Sequence, residues 1–297
     1  MRIFLTGATG FIGTALVPEL ISAGHQVLGM TRSDEGARAL TAAGAEPHHA
    51  DLYDLDSIRR GAEDVDAVIH LAFNHDFSKF AENCETDRGV IEAIGSVLAG
   101  SNRPLIVTSG TGMGAAKPGQ PVTEEDKPSA NAHVPRVATE FAADALVEKG
   151  LNVSVMRLPQ VHDTARQGLV SYVIPITRQK GVSAYVGEGT SRWPACHISD
   201  TARLYRLAIE GAQPGLRYNA VGEEGVSMRD IAEAIGRGLN LPTASLTPEE
   251  APAHFGWLAA FASFDLPASS VITRKRFDWN PTGPSLLTDL ANMNYSA

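Results

Sequence analysis

The most constraining feature of the chain is a glycine-rich segment that begins at its sixth residue. Residues 6–13 read Thr-Gly-Ala-Thr-Gly-Phe-Ile-Gly, directly after the apolar run Ile-Phe-Leu. In a strand–turn–helix unit, Gly7 permits the tight turn, Gly10 lets the backbone approach phosphates, and Gly13 lets the helix pack closely on the strand. The helix N-terminus adds free N–H groups and a positive dipole end. The segment therefore predicts a binding site for the pyrophosphate of a dinucleotide.

Composition and charge narrow the class of protein. The 297 residues suffice for one large α/β domain, or for a main domain with a small second lobe. A net charge of −9 without a basic run argues against nucleic acid and anionic membranes as partners. No apolar stretch approaches the roughly 20 residues that span a bilayer. Cys84 and Cys196 show no metal-ligand spacing and no disulfide framework, so we expect no metal and a reducing, cytoplasmic location.

The first half of the chain alternates apolar strands with helical stretches. This alternation predicts an α/β fold, a Rossmann-type doubly wound parallel sheet with a smaller C-terminal substrate lobe. We expect residues 1–158 to form the dinucleotide-binding domain and residues 159–297 mainly the lobe. The predicted strands lie near 2–6, 26–31, 45–48, 66–72, 104–109 and 152–157, and the helices near 11–23, 34–43, 54–61, 80–99 and 134–149.

Beyond Pro159 the pattern is less regular. It predicts helices near 167–180, 199–210 and 227–239, and strands near 183–186 and 216–221. Segments near 199–221 are expected to return to the dinucleotide-binding domain. From Leu241 onward, prolines and an apolar stretch predict a small lobe that covers the carboxyl edge of the sheet and gives a substrate a partly dry cleft.

The end of the second predicted strand indicates which nicotinamide cofactor binds. NAD sites usually carry an acidic residue there, whereas this chain has Thr31, Arg32 and Ser33. A guanidinium with two neighbouring hydroxyls binds a 2′-phosphate that a carboxylate would repel, so the sequence favours NADP(H) over NAD(H). The alternative is that Arg32 is an ordinary solvated arginine. Asp51, followed by Leu52, lies where a carboxylate accepts a hydrogen bond from the adenine amino group, or else it caps the next helix.

These motifs resemble the extended branch of the short-chain dehydrogenase/reductase superfamily, which includes nucleotide-sugar epimerases and dehydratases. The resemblance covers nearly the whole chain, with matches at residues 6–13, 51–52, 70–72, 107–109, 157–159 and 196–200. It implies a possible homodimer through the helices near 80–99 and 134–149. It also implies cofactor contacts by Gly7, Thr9, Gly10, Phe11, Ile12, Gly13, Thr31, Arg32, Ser33, Asp51, Leu52, Leu71, Ala72, Thr108, Arg136 and Pro159.

The chain departs from the family at the catalytic pair. Family members carry Tyr-x-x-x-Lys, in which the tyrosine is the general acid/base and the lysine binds the nicotinamide ribose. Counting back from Glu140 places Arg136 at the lysine position and Ala132 at the tyrosine position. In an atypical subgroup of the family, a histidine and an arginine replace this pair, and His133 and Arg136 resemble them. The histidine and the arginine of that subgroup are one residue further apart than His133 and Arg136. In the site, Arg136 would keep the positive charge of the family's lysine but would not titrate near neutral pH. The alternative is that Arg136 only forms a salt bridge to Glu140, one helical turn further on.

Hydroxyl and imidazole groups complete the predicted active site. In a reductase Ser109 holds the substrate carbonyl oxygen, with Thr108 and Thr111 as alternatives, unless this strand end only caps a turn. His133 is the first candidate proton donor, His162 the second and His75 the third, because imidazole titrates near neutral pH. Each histidine is otherwise a surface or packing residue. The predicted substrate contacts, which include apolar walls, are Phe73, His75, Thr111, Tyr172 and Trp193.

Three functions are compatible with these residues. The first is an NADP(H)-dependent oxidoreductase that moves hydride to or from the carbonyl carbon of a small, partly apolar substrate. The second is a sugar epimerase or dehydratase, although the missing tyrosine removes the base that such reactions need. The third is a non-catalytic redox sensor that binds NADP(H).

Overall fold

The computed structural model describes residues 1–128 and 134–296, and its centre is a seven-stranded parallel sheet. The strand order is β10-β6-β5-β4-β1-β2-β3, so the chain changes direction across the sheet between β1 and β4. Ligands of such sheets bind at the carboxyl ends of the strands beside this switch point. The predicted doubly wound α/β fold is confirmed. The strands of this sheet are β1 (Arg2–Thr6), β2 (Gln26–Thr31), β3 (Glu46–His49), β4 (Ala67–His70), β5 (Leu105–Gly110), β6 (Val153–Leu158) and β10 (Arg217–Asn219).

Helices cover both faces of the sheet because successive residues of a strand point to opposite sides. In β1, Ile3 and Leu5 pack into one apolar core, while Phe4 packs into a second core on the other face. The first core contains α1 (Phe11–Ser22), α2 (Asp34–Ala42) and α7 (Ile198–Glu210), and the second contains α3 (Leu55–Glu63), α4 (Phe80–Leu98) and α5 (Val137–Glu148). Both α7 and β10 thus belong to the layers of the central sheet.

The rest of the second half builds two small sheets around a third apolar core. One sheet has the order β11-β9-β7, with β7 (Gln160–His162), β9 (Arg192–His197) and β11 (Glu223–Ser227). The other pairs β8 (Ser183–Val186) with β12 (Thr243–Leu246). The helices are α6 (Val170–Lys180), α8 (Met228–Leu239), α9 (Ala251–Phe255), α10 (Ala259–Ser263), α11 (Val271–Phe277) and α12 (Leu286–Asn292). Among the helices of the described ranges, none combines the length and the apolar character that crossing a membrane requires.

Candidate active site

The glycine segment forms a turn in which residues 7 and 13 have no room for a side chain. Gly7 has a φ of +70°, and a Cβ placed on it would lie 2.9 Å from the backbone nitrogen of Ala72. A Cβ on Gly13 would lie 2.1 Å from the carbonyl oxygen of Gly7. Gly10 is the N-cap of α1 and gives no side-chain cap, so the first N–H groups of the helix remain for a ligand. The turn therefore has the backbone shape and the donors that a pyrophosphate requires.

A single cleft of about 1470 Å³ begins at this turn and runs along the carboxyl ends of the central strands. Drug-sized ligands occupy roughly 300–1,000 Å³, so the cleft has room for a dinucleotide and a second molecule. Ser33 and His162 do not line it, and His133 lies outside the residues that the structure describes. The predicted site residues that do line it are Gly7, Thr9, Gly10, Phe11, Ile12, Gly13, Thr31, Arg32, Asp51, Leu52, Leu71, Ala72, Phe73, His75, Thr108, Ser109, Thr111, Arg136, Pro159, Tyr172 and Trp193.

At the end of β2 only one of the three predicted phosphate ligands is uncommitted. The Ser33 hydroxyl caps α2 by accepting a hydrogen bond from the Gly36 N–H at 3.1 Å. The Thr31 hydroxyl donates to the Ser33 carbonyl at 3.2 Å. Arg32 is exposed at the cleft and forms no ion pair within residues 1–128 and 134–296. The guanidinium of Arg32 is therefore the group here that is available to an anionic ligand.

Asp51 also faces the cleft instead of capping a helix. Its Oδ1 accepts a hydrogen bond from the Tyr53 N–H at 2.9 Å, which fixes the turn after β3. The N-cap of α3 is Asp54, whose side chain accepts from the Ser57 N–H. The alternative interpretation of Asp51 as the helix cap is therefore wrong, and its carboxylate remains at the cleft wall.

Arg136 lies at the wall of the cleft, held by a buried carboxylate. Its Nη1 donates to Asp87 Oδ2 and its Nη2 to the Thr108 carbonyl, both at 2.8 Å. Its Cζ lies 3.8 Å from the centre of the Phe73 ring, so the guanidinium stacks on that face. The alternative salt bridge to Glu140 is wrong, because Glu140 pairs with two other arginines. Arg136 is thus a fixed cation at the wall of the cleft.

A hydrogen-bonded chain connects Asp87 to the base of the glycine turn. Thr6 Oγ1 accepts from the N–H groups of Leu71 and Ala72, so its own proton goes to His70 Nδ1 at 2.8 Å. With Nδ1 accepting from Thr6, the Nε2–H of His70 donates to Asp87 Oδ1 at 3.1 Å. Burial tends to raise the pKa of the Asp87 carboxyl, but Arg136, His70 and Thr139 together hold it below its usual range. Asp87 is therefore an ionised anchor for Arg136.

The sequence interpretation missed Asp87, although a signal was present. Helix α4 places buried residues at Asn83, Asp87, Ile91 and Ile94, which recur every three or four positions. A carboxylate within such an apolar stripe must meet a positive charge or several donors, since an isolated buried charge is costly. The position of Asp87 in this stripe therefore points to a partner on a neighbouring element.

Glu140 is the centre of a second buried network, and it determines what Ser109 can do. Arg157 donates to both oxygens of Glu140 at 2.8 Å, and Arg217 donates to Oε2 at 2.7 Å. The Ser109 hydroxyl donates to Oε1 at 3.0 Å, so its proton is not available to a substrate oxygen in this arrangement. The Thr108 hydroxyl is likewise paired, with Tyr205. Thr111 lines the cleft, and its hydroxyl has no hydrogen bond within the described part of the chain.

The two histidines that the structure describes among the candidate proton donors have different surroundings. His162 is fully buried, with its Nδ1 2.7 Å from Asp289 Oδ2, and burial keeps its pKa lowered despite that carboxylate. It supports the packing of α12 and does not reach the cleft. Of the described histidines only His75 lines the cleft, and desolvation and the nearby Arg136 charge lower its pKa below 6.5.

The predicted apolar walls lie in the cleft together with further aromatic residues. Phe73 and Tyr172 line the cleft alongside Phe77 and Phe80. Trp193 also lines the cleft although it is fully buried, and it donates its indole N–H to the Phe261 carbonyl at 3.2 Å. Within the described ranges, no group of three or more histidine, cysteine, aspartate or glutamate side chains is arranged to hold a metal ion.

Known proteins resemble this chain along its whole length. The sequence model of the NAD dependent epimerase/dehydratase family matches residues 3–221. An uncharacterized protein of Schizosaccharomyces pombe is 45% identical, over 99% of this chain and 100% of the relative. The UDP-glucose 4-epimerase of Streptomyces lividans is 26% identical, over 96% of this chain and 93% of the relative. Among solved structures, the dTDP-glucose 4,6-dehydratase of Streptomyces venezuelae, with NAD and TYD bound, has a TM-score of 0.77 at 17% identity, over 99% of this chain and 95% of that chain.

Proposed function

The chain belongs to the NAD dependent epimerase/dehydratase family, and from this membership we propose that it is an NADP(H)-dependent oxidoreductase of small carbonyl compounds. The family makes it an enzyme of the NAD(P)-dependent oxidoreductase type. The proposal adds the choice of cofactor and the reaction. In the reductive direction the carbonyl carbon gains a hydride, its oxygen gains a proton, and an alcohol and NADP⁺ are the products. NADPH, when bound, supplies that hydride.

The observation that carries the proposal is the continuity of the cleft from the glycine turn, past Arg32, to Arg136. The turn presents N–H groups of the kind that bind a pyrophosphate. The uncommitted guanidinium of Arg32 lines the same cleft, which supports the binding of a 2′-phosphate on the same ligand. Arg136 supplies a permanent positive charge further along the cleft, and in this proposal it takes the role of the family's lysine. One ligand with a pyrophosphate, a separate 2′-phosphate and a ring at its far end, such as NADPH, fits this order of contacts.

The side chains beyond Arg136 have separate roles in the proposal. The Thr111 hydroxyl donates to the substrate carbonyl oxygen and stabilises the negative charge that develops there. His75 gives the proton, since its ring lines the cleft, and its lowered pKa makes its protonated form a stronger acid than an ordinary imidazolium. Arg136 stabilises the same developing charge without exchanging a proton. His133 stays a prediction as an alternative proton donor.

A nucleotide-sugar epimerase or dehydratase is the second candidate, favoured by the likeness of fold to the dTDP-glucose 4,6-dehydratase. Such reactions remove a hydroxyl proton with a strong base, and the tyrosines that line the cleft are Tyr53 and Tyr172, neither of which precedes Arg136 in the family's spacing. The redox sensor is the third candidate.

A cytoplasmic location and a homodimer through α4 and α5 also stay predictions. The half-exposed Phe141 of α5 is an apolar residue that such an interface would cover.

Replacement of Arg32 by glutamate tests the choice of cofactor. A charge-assisted hydrogen bond contributes about 1.5–3 kcal/mol, so we expect R32E to bind NADPH roughly 10- to 100-fold more weakly and NADH almost unchanged. The measurement is calorimetric titration of ligand-stripped protein with each cofactor. R237E makes the same change of charge on the exposed face of α8, away from the cleft, and is the control. Equal affinity of the unaltered protein for NADPH and NADH would refute the preference.

The pH profile of carbonyl reduction tests the proton donor. Because the pKa of His75 lies below the usual 6.5, His75 loses its proton at a lower pH than an ordinary histidine does as the pH rises. We expect kcat/KM for reduction to fall about tenfold per pH unit above that pKa. His75→Gln should lower the rate at acidic pH and flatten the profile. If H75Q keeps the slope and His133→Gln removes it, His133 is the donor and the assignment of His75 is wrong.

A further inference from the structure

Aromatic rings from three separate segments meet beside Arg136, and they form a contiguous group that we call the aromatic cluster. Its members are Phe73, Phe77, Phe80, Tyr172, Trp257 and Phe261. Phe77 stacks on Trp257 with 4.4 Å between ring centres and 17° between planes. Tyr172 meets both rings edge-on, at 5.6 Å and 5.5 Å. Phe80 lies 6.3 Å from Phe73 and 5.7 Å from Phe77, which extends the contact to the ring under Arg136.

The cluster joins parts of the chain that are distant in sequence. Phe77 begins a 3₁₀ turn after β4, Tyr172 belongs to α6, and Trp257 lies in a second 3₁₀ turn between α9 and α10. Despite these contacts, Trp257 is 46% exposed and Tyr172 is 37% exposed. Large apolar rings that remain open beside a cleft mark a binding surface, because water contacts them at a cost that an apolar ligand removes.

Three arginines that line the cleft have partners outside the cluster or lie at its pyrophosphate side. Arg136 forms an ion pair with Asp87, and Arg178 donates to the Tyr295 carbonyl. Arg166 lies over the Phe11 ring at the start of α1, on the pyrophosphate side. Of the described residues that line the cleft, Asp51 is the only carboxylate, and it belongs to the adenosine end. The hydroxyls of a sugar placed against the aromatic cluster would meet ring faces and edges, and hydroxyls buried there without partners are disfavoured.

We propose that the aromatic cluster binds the substrate and selects an uncharged ketone or aldehyde whose carbonyl group is attached to a planar ring. This inference rests on the proposed function, since it names the substrate class of the same site. The planar ring packs against Phe77 and Tyr172 in offset or edge-to-face contact, the arrangements that aromatic pairs prefer. The carbonyl group then extends from the ring toward Thr111 and His75. Sugar nucleotides, which carry many hydroxyls, are poor ligands of this wall.

Matched ketones test this selection. The probes are 2-acetylnaphthalene, cyclohexyl methyl ketone, which is apolar but not planar, and UDP-glucose. We expect kcat/KM with NADPH to be about tenfold higher for the aryl ketone than for the cyclohexyl ketone, because only the flat ring gains aromatic contacts. We expect no turnover of UDP-glucose. Calorimetry with the NADP⁺-saturated protein measures binding of each probe independently of turnover.

Variants of the cluster separate substrate binding from cofactor binding. Phe77→Leu and Trp257→Leu should each lower kcat/KM for the aryl ketone by about tenfold and leave the NADPH Kd unchanged. Phe264→Leu alters an exposed aromatic residue outside the cluster and should change neither value. Equal efficiency with both ketones, or no binding of the aryl ketone, overturns the substrate class while NADPH binding still supports the cofactor assignment. If the unaltered protein does not bind NADPH, or if UDP-glucose is the only probe that it turns over, the proposed function is refuted as well.

Discussion

Replacing Gly13 with alanine is expected to abolish dinucleotide binding and to destabilise the protein. The new Cβ would lie 2.1 Å from the Gly7 carbonyl oxygen and 2.8 Å from two backbone atoms of Ala8. Backbone atoms in a tight turn cannot move aside as the end of a flexible side chain can, so α1 must shift away from β1. We expect a loss of NADPH affinity greater than about 100-fold and a loss of about 3 kcal/mol in the free energy of unfolding. Calorimetric titration and urea denaturation measure the two effects.

Gly89 provides the matched control for this substitution. It lies within α4, and a Cβ built on it meets nothing within 4 Å. Gly89→Ala should therefore leave NADPH binding intact and stabilise the helix by up to about 1 kcal/mol. If Gly13→Ala binds NADPH as well as Gly89→Ala does, the glycine turn is not the pyrophosphate site.

The first half of the fold could be predicted because its signals are local. Except for β3, whose sequence is Glu-Pro-His-His, each strand of the central sheet there is a short apolar run followed by a helical stretch. A parallel sheet with right-handed crossovers follows from that alternation. The cleft could be predicted for the same reason, since the carboxyl ends of parallel strands meet at one edge. That is why residues as distant in sequence as Gly7, Arg32 and Arg136 line the same cavity.

The small sheets of the second half depend on contacts that the sequence does not reveal locally. Strand β9 contains Pro194 and pairs with segments that begin at Gln160 and Glu223. Strands β7 and β11 are only three and five residues long, which is too short for a clear alternation of polar and apolar residues. Helices α9 to α12 were not predicted either. Most of these elements pack around the third core, whereas α11 packs Phe277 against the first core, so their formation depends on tertiary contacts.

The ionic partners within the site were the least predictable feature. Arg136 and Glu140 lie one turn apart, and a local salt bridge was a reasonable interpretation. In the fold, Arg136 instead contacts Asp87, which lies 49 residues earlier in the sequence. Helix α4 provides this carboxylate, and the guanidinium also donates to the Thr108 carbonyl of β5. His162 pairs with Asp289, 127 residues later. Tertiary packing thus determines which charged side chains pair, because it determines which carboxylate is buried next to which cation.

Glu140 offers the largest expected change in stability. It is fully buried, as is Arg157, and Arg217 is nearly so. Removing the carboxylate with Glu140→Ala leaves two buried guanidinium groups short of a partner, although Asp144 still contacts Arg217. Breaking a buried ion pair from one side costs about 3–5 kcal/mol, so we expect a loss of that size in the free energy of unfolding at neutral pH. Urea denaturation of E140A measures it, and E148A, at an exposed position of the same helix, should stay within about 0.5 kcal/mol of the unaltered protein.

The pH dependence of Glu140→Gln distinguishes loss of charge from loss of packing, because glutamine keeps the shape. Burial tends to raise the Glu140 pKa, but hydrogen bonds and charge from Arg157 and Arg217 bring it below 4.5 in the folded protein. The contribution of the carboxylate is therefore complete above pH 4.5 and is lost as pH falls through the folded-state pKa. The stability difference between the unaltered protein and E140Q should be largest near neutral pH and shrink in acid. A difference that stays constant down to acidic pH would mean that packing, not the charge of Glu140, holds Ser109 and the two arginines in place beneath the cleft.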